Sequence, residues 1–440
     1  MDTTRQIMPE DDRTRAIGGG AGGATQVLST GPAVSMELIA GNQYALGTEP
    51  SREHFLVVVR SGEMAMGRRL PLNLCLLVDR SGSMEGEPLE YVKRACGYVV
   101  DLLEPADILS IVTFEERAEV LMPARRVVNK TLVKEHINRI EVGTTTNIFD
   151  GIAAAASQVA SVPGAGYVNR VLLFTDGEPT AGQKDFNSIV GLAAEEKSRG
   201  ITTTALGFGP EYNEELLAGI ARRSGGNYYY ITRPDLIPEV FRRELETLMT
   251  IVARNLRLRM HLSQWVQVRQ VYGKQPSFGQ KYAEVVLSDL ERGSAVSALW
   301  ELGFDPRPTG TYRIARAELT YDDSSSGRTE VISQDAVIQF NADRGLVEAN
   351  VSPVVQQEIE VAETSRNLER TVMGMRTQQI APHVAVGELE RTKTILLQQG
   401  KVAEAQDVQQ AIDNLKSGAG GAEKTLVGTI YDLDRGRKKE

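Results

Sequence analysis

The sequence predicts an α/β fold: a doubly wound, mostly parallel sheet, joined to an antiparallel β-sandwich and to C-terminal helices. Two observations predict the parallel sheet. Between residues 70 and 252, apolar runs of strand length alternate with amphipathic helical segments. These runs are apolar throughout, as strands are when helices cover both faces of a sheet. A third observation predicts the sandwich, because short strands separated by Gly-, Asp- and Ser-containing turns follow residue 253.

The α/β segment divides into strands and helices in a regular order. The first strand is LPLNLCLLVD, and the helix after it, EPLEYVKRACGYVVDLLE, carries Pro88 in its first turn, where proline is favoured. The later elements are the strand DILSIVTFE, the helices TLVKEHINRI and NIFDGIAAAASQVASV, the strand NRVLLFTDG, the helix DFNSIVGLAAEEKSRG, the strand ITTTALGFG, the helix EELLAGIARRSGG, the strand NYYYI and the helix PDLIPEVFRRELETLMTIV. In such sheets, ligands bind where the chain order of the strands reverses.

The flanking segments differ from this α/β segment in composition. We predict these divisions: a disordered, Gly-rich tail at 1–33; strands at 34–69 that join the sandwich; the α/β domain at 70–252; the β-sandwich at 253–345; a helical hairpin region at 346–416, turning at Gly400; and a flexible tail at 417–440. The strands before residue 70 are assigned to the sandwich because they have too few partners to be stable alone. The α/β domain is then an insertion in a β domain.

The composition argues against two classes of function. Acidic residues outnumber basic residues by 58 to 49, a formal charge of −9, whereas nucleic-acid binding normally leaves a basic footprint. No stretch approaches the ~20 apolar residues of a membrane span, and the charged N-terminus lacks the apolar core of a signal peptide. We therefore expect a cytoplasmic protein that binds neither nucleic acid nor a membrane, with Cys75 and Cys96 as buried, reduced thiols.

Three separate loops of the α/β segment carry polar residues of one kind. The first loop, DRSGSM, follows the first strand and holds Asp79, Ser81 and Ser83. The second, GTTTN, precedes a helix, and Thr146 is its strongest candidate. The third, TDGEPT, directly follows a strand and holds Asp176. If the sheet is doubly wound, all three loops lie at the carboxyl edge of its strands and can converge.

These two carboxylates and three small hydroxyls form an all-oxygen set of donors. Hard divalent cations prefer such ligands, and Mg²⁺ keeps several waters while accepting few direct carboxylate contacts. We interpret Gly82 as the residue that lets the backbone turn tightly beside the ion. The chemistry therefore predicts a Mg²⁺ site, with Mn²⁺ or Ca²⁺ as alternative ions.

The five residues resemble the metal-ion-dependent adhesion site of the von Willebrand factor A (VWA) family. That site has the pattern Asp-x-Ser-x-Ser, then a Thr, then an Asp, each in a loop at the top of the sheet. Here residues 79–83 match the first part, Thr146 the second and Asp176 the third. The resemblance covers about residues 70–252 and implies a VWA or Rossmann-like sheet, with the metal held by Asp79, Ser81, Ser83, Thr146 and Asp176.

The resemblance also implies a binding module rather than an enzyme. In the family, the serines and the threonine contact the ion directly or through water, and the aspartates act largely through water. A Glu or Asp of a partner protein completes the open coordination position. We therefore expect a Mg²⁺-dependent scaffold or adaptor, with Arg80 tuning the choice of partner. Some bacterial proteins that flank such a domain with β-sandwich strands work beside AAA+ ATPases, so an AAA+ ATPase is a candidate partner.

The sequence leaves two alternatives open. Asp79 could be the nucleophile of a Mg²⁺-dependent phosphatase or hydrolase, although Ser81 stands where such an enzyme has a second acid. Alternatively, the α/β domain could be a structural module that binds no metal. Phosphoester hydrolysis that is lost in Asp79→Asn would support the first alternative. A thermal stability that Mg²⁺ and Mn²⁺ leave unchanged would support the second.

Overall fold

The computed structural model describes residues 34–62, 69–162, 166–176, 178–208, 212–231, 233–418 and 420–439. The tail predicted at residues 1–33 lies outside these ranges. Within them, no helix is long and apolar enough to cross a membrane.

Strands and helices are numbered here in chain order. The strands are β1 (Val34–Ala40), β2 (Tyr44–Leu46), β3 (Ser51–Ser61), β4 (Leu72–Asp79), β5 (Ile108–Phe114), β6 (Ala118–Arg126), β7 (Val168–Thr175), β8 (Thr202–Phe208), β9 (Tyr228–Ile231), β10 (Ile251–Leu262), β11 (Val266–Val271), β12 (Ser277–Gly279), β13 (Tyr282–Val286), β14 (Leu290–Glu291), β15 (Ser294–Phe304), β16 (Gly310–Asp323), β17 (Thr329–Asn341) and β18 (Arg437–Lys439). The helices are α1 (Glu87–Leu102), α2 (Lys130–Asn138), α3 (Ile148–Ala160), α4 (Phe186–Ser198), α5 (Glu214–Ser224), α6 (Ile237–Met249), α7 (Arg344–Ala349), α8 (Pro353–Arg376), α9 (Pro382–Gln398), α10 (Val402–Ser417) and α11 (Ala422–Arg435).

The α/β part of the protein is built on one twisted sheet. Its strand order is β6-β5-β4-β7-β8-β9, and every neighbouring pair is parallel except β5 and β6. Helices α1, α2 and α6 pack on one face, and α3, α4 and α5 pack on the other. Every residue of β4 is buried, because this central strand is covered on both faces. The predicted doubly wound, mostly parallel sheet is confirmed.

The edge strand β6 is an element that the sequence pattern did not predict. It pairs antiparallel with β5 and has no further strand partner within the described sheet. Most of its residues are at least partly exposed, and Pro123 lies within it. Proline is tolerated in edge strands, where its missing N–H costs no ladder hydrogen bond. The proline in the middle of this short run concealed the strand in the sequence.

Two sheets, antiparallel except where β2 pairs with β17, form the predicted β-sandwich. One has the order β1-β3-β15-β11, with β18 beside β15, and the other has the order β12-β13-β10-β16-β17-β2, with β14 beside β10. Aromatic side chains fill the space between the sheets, among them Trp300, Phe304 and Phe340. Because β3 pairs with β15 from Ser51 to Arg60, strands on both sides of the α/β part share one sheet. The strands before residue 70 are predicted to join the sandwich because they have too few partner strands of their own, and this prediction is confirmed.

The C-terminal segment differs from the sequence-based expectation. Residues 382–398 and 402–417 form the predicted hairpin, which turns at Gly400 with a φ of +73°. The prediction of a flexible tail at 417–440 is wrong for its described part, since α11 buries Leu426, Ile430 and Leu433 against α8 and α10. The spacing of these apolar residues fits a helix, but the Gly-rich stretch before them obscured it.

A buried ion cluster joins the α/β part to the sandwich. Asp289, between β13 and β14, accepts a hydrogen bond from Arg170 of β7 at 3.0 Å and lies 3.8 Å from Nζ of Lys197 in α4. Burial disfavours the charged carboxylate, but Lys197 and Arg170 together hold the pKa of Asp289 below its usual value. Within the described part of the chain, both cations therefore pair with the same carboxylate.

We expect Asp289→Ala to lower the free energy of unfolding by about 3–5 kcal/mol, because it leaves buried cations uncompensated. Asp335→Ala is the matched control, since it removes an exposed partner of Arg316 on the sandwich, and we expect it to cost at most ~1 kcal/mol. Urea denaturation of both variants measures the difference. If both variants lose the same free energy of unfolding, Asp289 does not stabilise the contact between the α/β part and the sandwich.

The fold of the C-terminal segment gives a second prediction. Leu426→Ala removes a wholly buried side chain and should cost about 2–5 kcal/mol, because it leaves a cavity. Val402→Ala, at a position that is 52% exposed, should stay within about 0.5 kcal/mol of the parent. Chemical denaturation distinguishes the two variants. If Leu426→Ala leaves the free energy of unfolding unchanged, α11 does not pack as described and the prediction of a flexible tail regains support.

Candidate functional site

The carboxyl edge of the α/β sheet brings the three polar loops together. Strand β4 lies between β5 and β7, so the chain order of the strands reverses between β4 and β7. In the parallel register, Asp79 lies opposite Phe114 on one side, and Val78 lies opposite Phe174 on the other. The residue after Phe174, Thr175, is therefore beside Asp79. This reversal is the position where open α/β sheets bind ligands.

Asp79 lies at the bottom of this edge and is wholly buried. Its Oδ1 accepts a hydrogen bond from the backbone N–H of Ser81 at 2.8 Å, and its Oδ2 accepts one from Oγ1 of Thr175 at 2.5 Å. Burial raises the pKa of Asp79 to about 7; the hydrogen bonds from Thr175 and Ser81 oppose this rise, and the Asp176 carboxylate adds to it. A neighbouring cation would favour the charged form instead. Thr175 is a site residue that the sequence pattern did not reveal.

A chain of hydroxyl contacts runs across the first and third loops. Oγ of Ser81 lies 3.2 Å from Oγ of Ser83, which donates a hydrogen bond to Oδ1 of Asp176 at 2.8 Å. Ser81 is buried and Ser83 is exposed. Oxygen atoms from two loops therefore lie within hydrogen-bond distance of one another above the buried Asp79.

The second loop is attached to the third through its backbone. Thr146 donates its N–H to Oγ1 of Thr180 at 2.9 Å, and its carbonyl accepts from the N–H groups of Thr180 and Ala181. Thr146 is buried, whereas Thr144 is exposed and Thr145 is partly exposed. Of the three threonines, Thr146 therefore has its backbone fixed to the loop that carries Asp176.

Helix α3 begins at Ile148, two residues after Thr146. Asn147 caps the helix, because its Oδ1 accepts a hydrogen bond from the N–H of Asp150 at 3.2 Å. An Asn at this position is among the best N-caps. The cap fixes the point at which the second loop becomes helical, and so fixes the end of the segment that carries Thr146.

The glycines of the site have different roles from the one predicted. Gly82 has no positive φ, and a Cβ atom there would meet the carbonyl oxygen of Thr144 only at 3.6 Å. The interpretation of Gly82 as a required tight-turn residue is therefore wrong. Gly143 is the constrained position, since a Cβ atom there would lie 2.1 Å from Oε2 of Glu115.

The site supplies only oxygen donors, from two carboxylates and three hydroxyls. Among the described residues, no group of three or more His, Cys, Asp or Glu side chains could hold a metal ion. Any cation at this edge would therefore depend on hydroxyl groups as well as carboxylates. Hard ions such as Mg²⁺ and Ca²⁺ accept such ligands. The five residues therefore fit the Mg²⁺ ion that the sequence predicts.

The C-terminal helices reach the same edge of the sheet. Nζ of Lys424, in α11, donates a hydrogen bond to the carbonyl of Tyr212 at 2.7 Å and lies 3.9 Å from the centre of its ring. Tyr212 follows β8, whose carboxyl end lies at the edge of the candidate site. Arg376 of α8 forms ion pairs with Glu214, Glu215 and Glu423. The helices are thus held against the α/β part near its polar loops.

The fold and the site define a class of protein: an open α/β sheet with convergent polar loops at its switch point, inserted in a β-sandwich. The family model for the von Willebrand factor type A domain matches residues 73–243. An uncharacterized protein of Synechocystis, sll0103, is 30% identical over 306 residues, which are 67% of this chain and 72% of that protein. The chain belongs to the VWA family.

Two solved structures share the architecture over most of the chain. The von Willebrand factor type A protein from Catenulispora acidiphila aligns with a TM-score of 0.74 and 16% identity, covering 88% of this chain and 91% of that one. The ArnB paralog VWA2 from Sulfolobus acidocaldarius aligns with a TM-score of 0.63 and 18% identity, covering 91% and 98%. At these identities the likeness concerns the fold alone, which includes the sandwich and the helices as well as the VWA domain.

The two glycines give a prediction for the site loops. Gly143→Ala should lower the free energy of unfolding by about 1–3 kcal/mol, because the new methyl group displaces the Glu115 carboxylate. Gly82→Ala should change it by at most ~0.5 kcal/mol. Thermal or urea unfolding measures both. The cost of Gly143→Ala should fall in a Glu115→Ala background, and an unchanged cost there would contradict the clash.

Proposed function

We propose that the carboxyl edge of the VWA domain binds a divalent cation and uses it to capture a Glu or Asp side chain of a partner protein. Mg²⁺ suits the donor set best, and Mn²⁺ or Ca²⁺ are the alternative ions. The observation that carries the proposal is the run of oxygen atoms from Ser81 through Ser83 to Asp176, above the buried Asp79. VWA domains commonly mediate protein–protein interactions, which supports a binding role.

In this proposal the ligating residues divide into two groups. The hydroxyls of Ser81, Ser83 and Thr146 would hold the ion, and Asp79 and Asp176 would act mainly by accepting hydrogen bonds around it. Both oxygens of Asp79 already accept hydrogen bonds, from Ser81 and Thr175. Because much of the negative charge is then held behind the hydroxyls, the ion would supply an electrophilic position for a partner's carboxylate.

The burial of Asp79 disfavours the phosphatase alternative. A nucleophilic carboxylate must reach the substrate, but Asp79 is wholly buried and both of its oxygens accept hydrogen bonds. Ser81, at the position of a second acid, is also buried and contacts Ser83. A binding role requires neither group to react, so the arrangement favours a scaffold or adaptor over an enzyme.

The proposal places the protein in the cytoplasm with a protein partner. The net charge of −9 supports neither nucleic acid nor an anionic membrane surface as the partner. The partner contributes an acidic side chain to the ion, and an AAA+ ATPase is the candidate that the bacterial resemblance suggests.

Calorimetric titration of the full chain with Mg²⁺ and with Mn²⁺ tests the proposal. We expect one-to-one binding, weakened at least ~10-fold in Asp79→Asn and in Ser83→Ala, because supporting and ligating groups are lost. The control is Asp101→Ala, an exposed carboxylate paired with Lys134 at the far end of α1, which should bind as the parent does. Circular dichroism verifies that each variant is folded.

A second titration uses a short peptide with one Glu and its Gln counterpart, with and without chelator. The proposal predicts binding of the Glu peptide only in the presence of the ion. If the parent binds no ion, even with the Glu peptide present, the metal-free module becomes the better description.

A further inference from the structure

We propose that Glu115 is a positioning residue for the candidate site, which fixes the loop that presents Thr146. The inference rests on the function proposed above. Glu115 directly follows β5, whose last residue, Phe114, lies opposite Asp79 in the sheet. It therefore emerges between the loop after β4 and the loop that precedes α3. Glu115 is not one of the five predicted ligands, and no motif in the sequence marks it.

Glu115 holds the second loop on both sides of Thr146. Its Oε2 accepts hydrogen bonds from the N–H of Thr144 at 3.0 Å and from the hydroxyl of Thr144 at 3.5 Å. Its backbone carbonyl accepts from the N–H of Asn147 at 2.7 Å. The absence of a side chain at Gly143 leaves the space that the carboxylate occupies. The Glu115 side chain thus fixes Thr144, two residues before Thr146, whereas the bond to Asn147 comes from the backbone and remains in any variant at position 115.

Arg80 orients the Glu115 carboxylate from the first loop. Nη2 of Arg80 donates to Oε1 of Glu115 at 2.9 Å, and the two side chains are only 20% and 24% exposed. The Arg80 backbone is fixed as well, since its N–H donates to Phe114 and its carbonyl accepts from Gly143. Such shielding makes the pair less sensitive to solvent screening than exposed pairs are. Arg80 therefore supports the Glu115 carboxylate, and the role of Arg80 in the choice of partner stays a prediction.

Convergence of the loops is the physical requirement that this network meets. A cation site needs its ligands held to within about 0.5 Å, usually by a supporting layer of hydrogen bonds. Ser81 and Ser83 are held by contacts within their loop and to Asp176, whereas Thr146 comes from a different loop. Glu115 connects that loop to Arg80, one residue from Asp79. Loss of Glu115 should therefore weaken ion binding through Thr146.

Glu119 provides a matched control. Its carboxylate lies 3.8 Å from the same Arg80 nitrogen, but its side chain is 68% exposed. Among the hydrogen bonds of the described residues, none joins Glu119 to the Thr144–Asn147 loop. Glu119→Ala removes the same charge near the site without removing the loop contacts, so it isolates positioning from long-range electrostatics.

The experiment is calorimetric titration of the full chain with Mg²⁺ alone, using Glu115→Ala, Glu119→Ala, Thr146→Ala and the double variant Glu115→Ala/Thr146→Ala. We expect Glu115→Ala to weaken binding about 10-fold, and Glu119→Ala by less than about 2-fold. The double variant should bind as Thr146→Ala does, because Glu115 acts through that residue and the two losses are not additive. Glu115→Gln should recover part of the affinity, since its carbonyl oxygen still accepts from Thr144.

Hydrogen–deuterium exchange on the metal-free protein provides the second measurement. Glu115→Ala should increase exchange in the segment 143–147 at least ~10-fold, with no increase in Glu119→Ala. If the parent binds Mg²⁺ but Glu115→Ala binds like Glu119→Ala, or if the two losses add in the double variant, the positioning role is overturned and the proposed function stands. If the parent binds no Mg²⁺, either alone or with the Glu peptide of the second titration present, the proposed function fails and the positioning role fails with it; if Mg²⁺ binds only with the peptide, the variants are compared with the peptide present. If exchange in residues 143–147 is unchanged in Glu115→Ala, the Glu115 side chain does not fix this loop, whether or not the parent binds Mg²⁺.

Discussion

The parallel pairing of β4 with β5 and β7 is the constraint on which the rest of the candidate site depends. Because β4 is buried along its whole length, its register with both neighbours is fixed by the core. That register places Thr175 beside Asp79 and brings the loops after β4 and β7 to one edge. A slip of one residue would turn Asp79 to the opposite face of the sheet. The arrangement of the polar loops is therefore a consequence of core packing.

The two ends of the α/β sheet are held by different parts of the chain. At the amino ends of the strands, Asp289 of the sandwich compensates Arg170 and Lys197. At the carboxyl edge, Lys424 and Arg376 of the C-terminal helices contact residues 212–215, which follow β8. The protein therefore fixes the orientation of its VWA domain at both ends, which suits a module that presents one surface to a partner.

The prediction of the sheet is confirmed, because long apolar runs are a local signal; polar residues at strand ends are a local signal too, and the metal-binding role of the five candidate ligands stays a prediction. Four of the five, Asp79, Ser81, Ser83 and Asp176, belong to one connected set of contacts. What escaped prediction depends on tertiary structure. The edge strand β6 is interrupted by a proline, α11 follows a Gly-rich stretch, and Glu115 resembles any exposed glutamate until its contacts with Thr144 and Arg80 are seen.

The shared sheet of β3 and β15 has a consequence for the synthesis of the chain. β3 leaves the ribosome long before its partner, since roughly 230 residues separate them, and at about 5–20 residues per second this delay is roughly 10–50 s. During that interval its apolar segment, Phe55–Val59, has only β1 as a neighbour among the described strands already made. The α/β domain has its own core and can form meanwhile. A nascent chain stalled before β15 would therefore present a folded VWA domain beside a β1–β3 pair, in which the edge of β3 that later pairs with β15 is exposed and prone to aggregation.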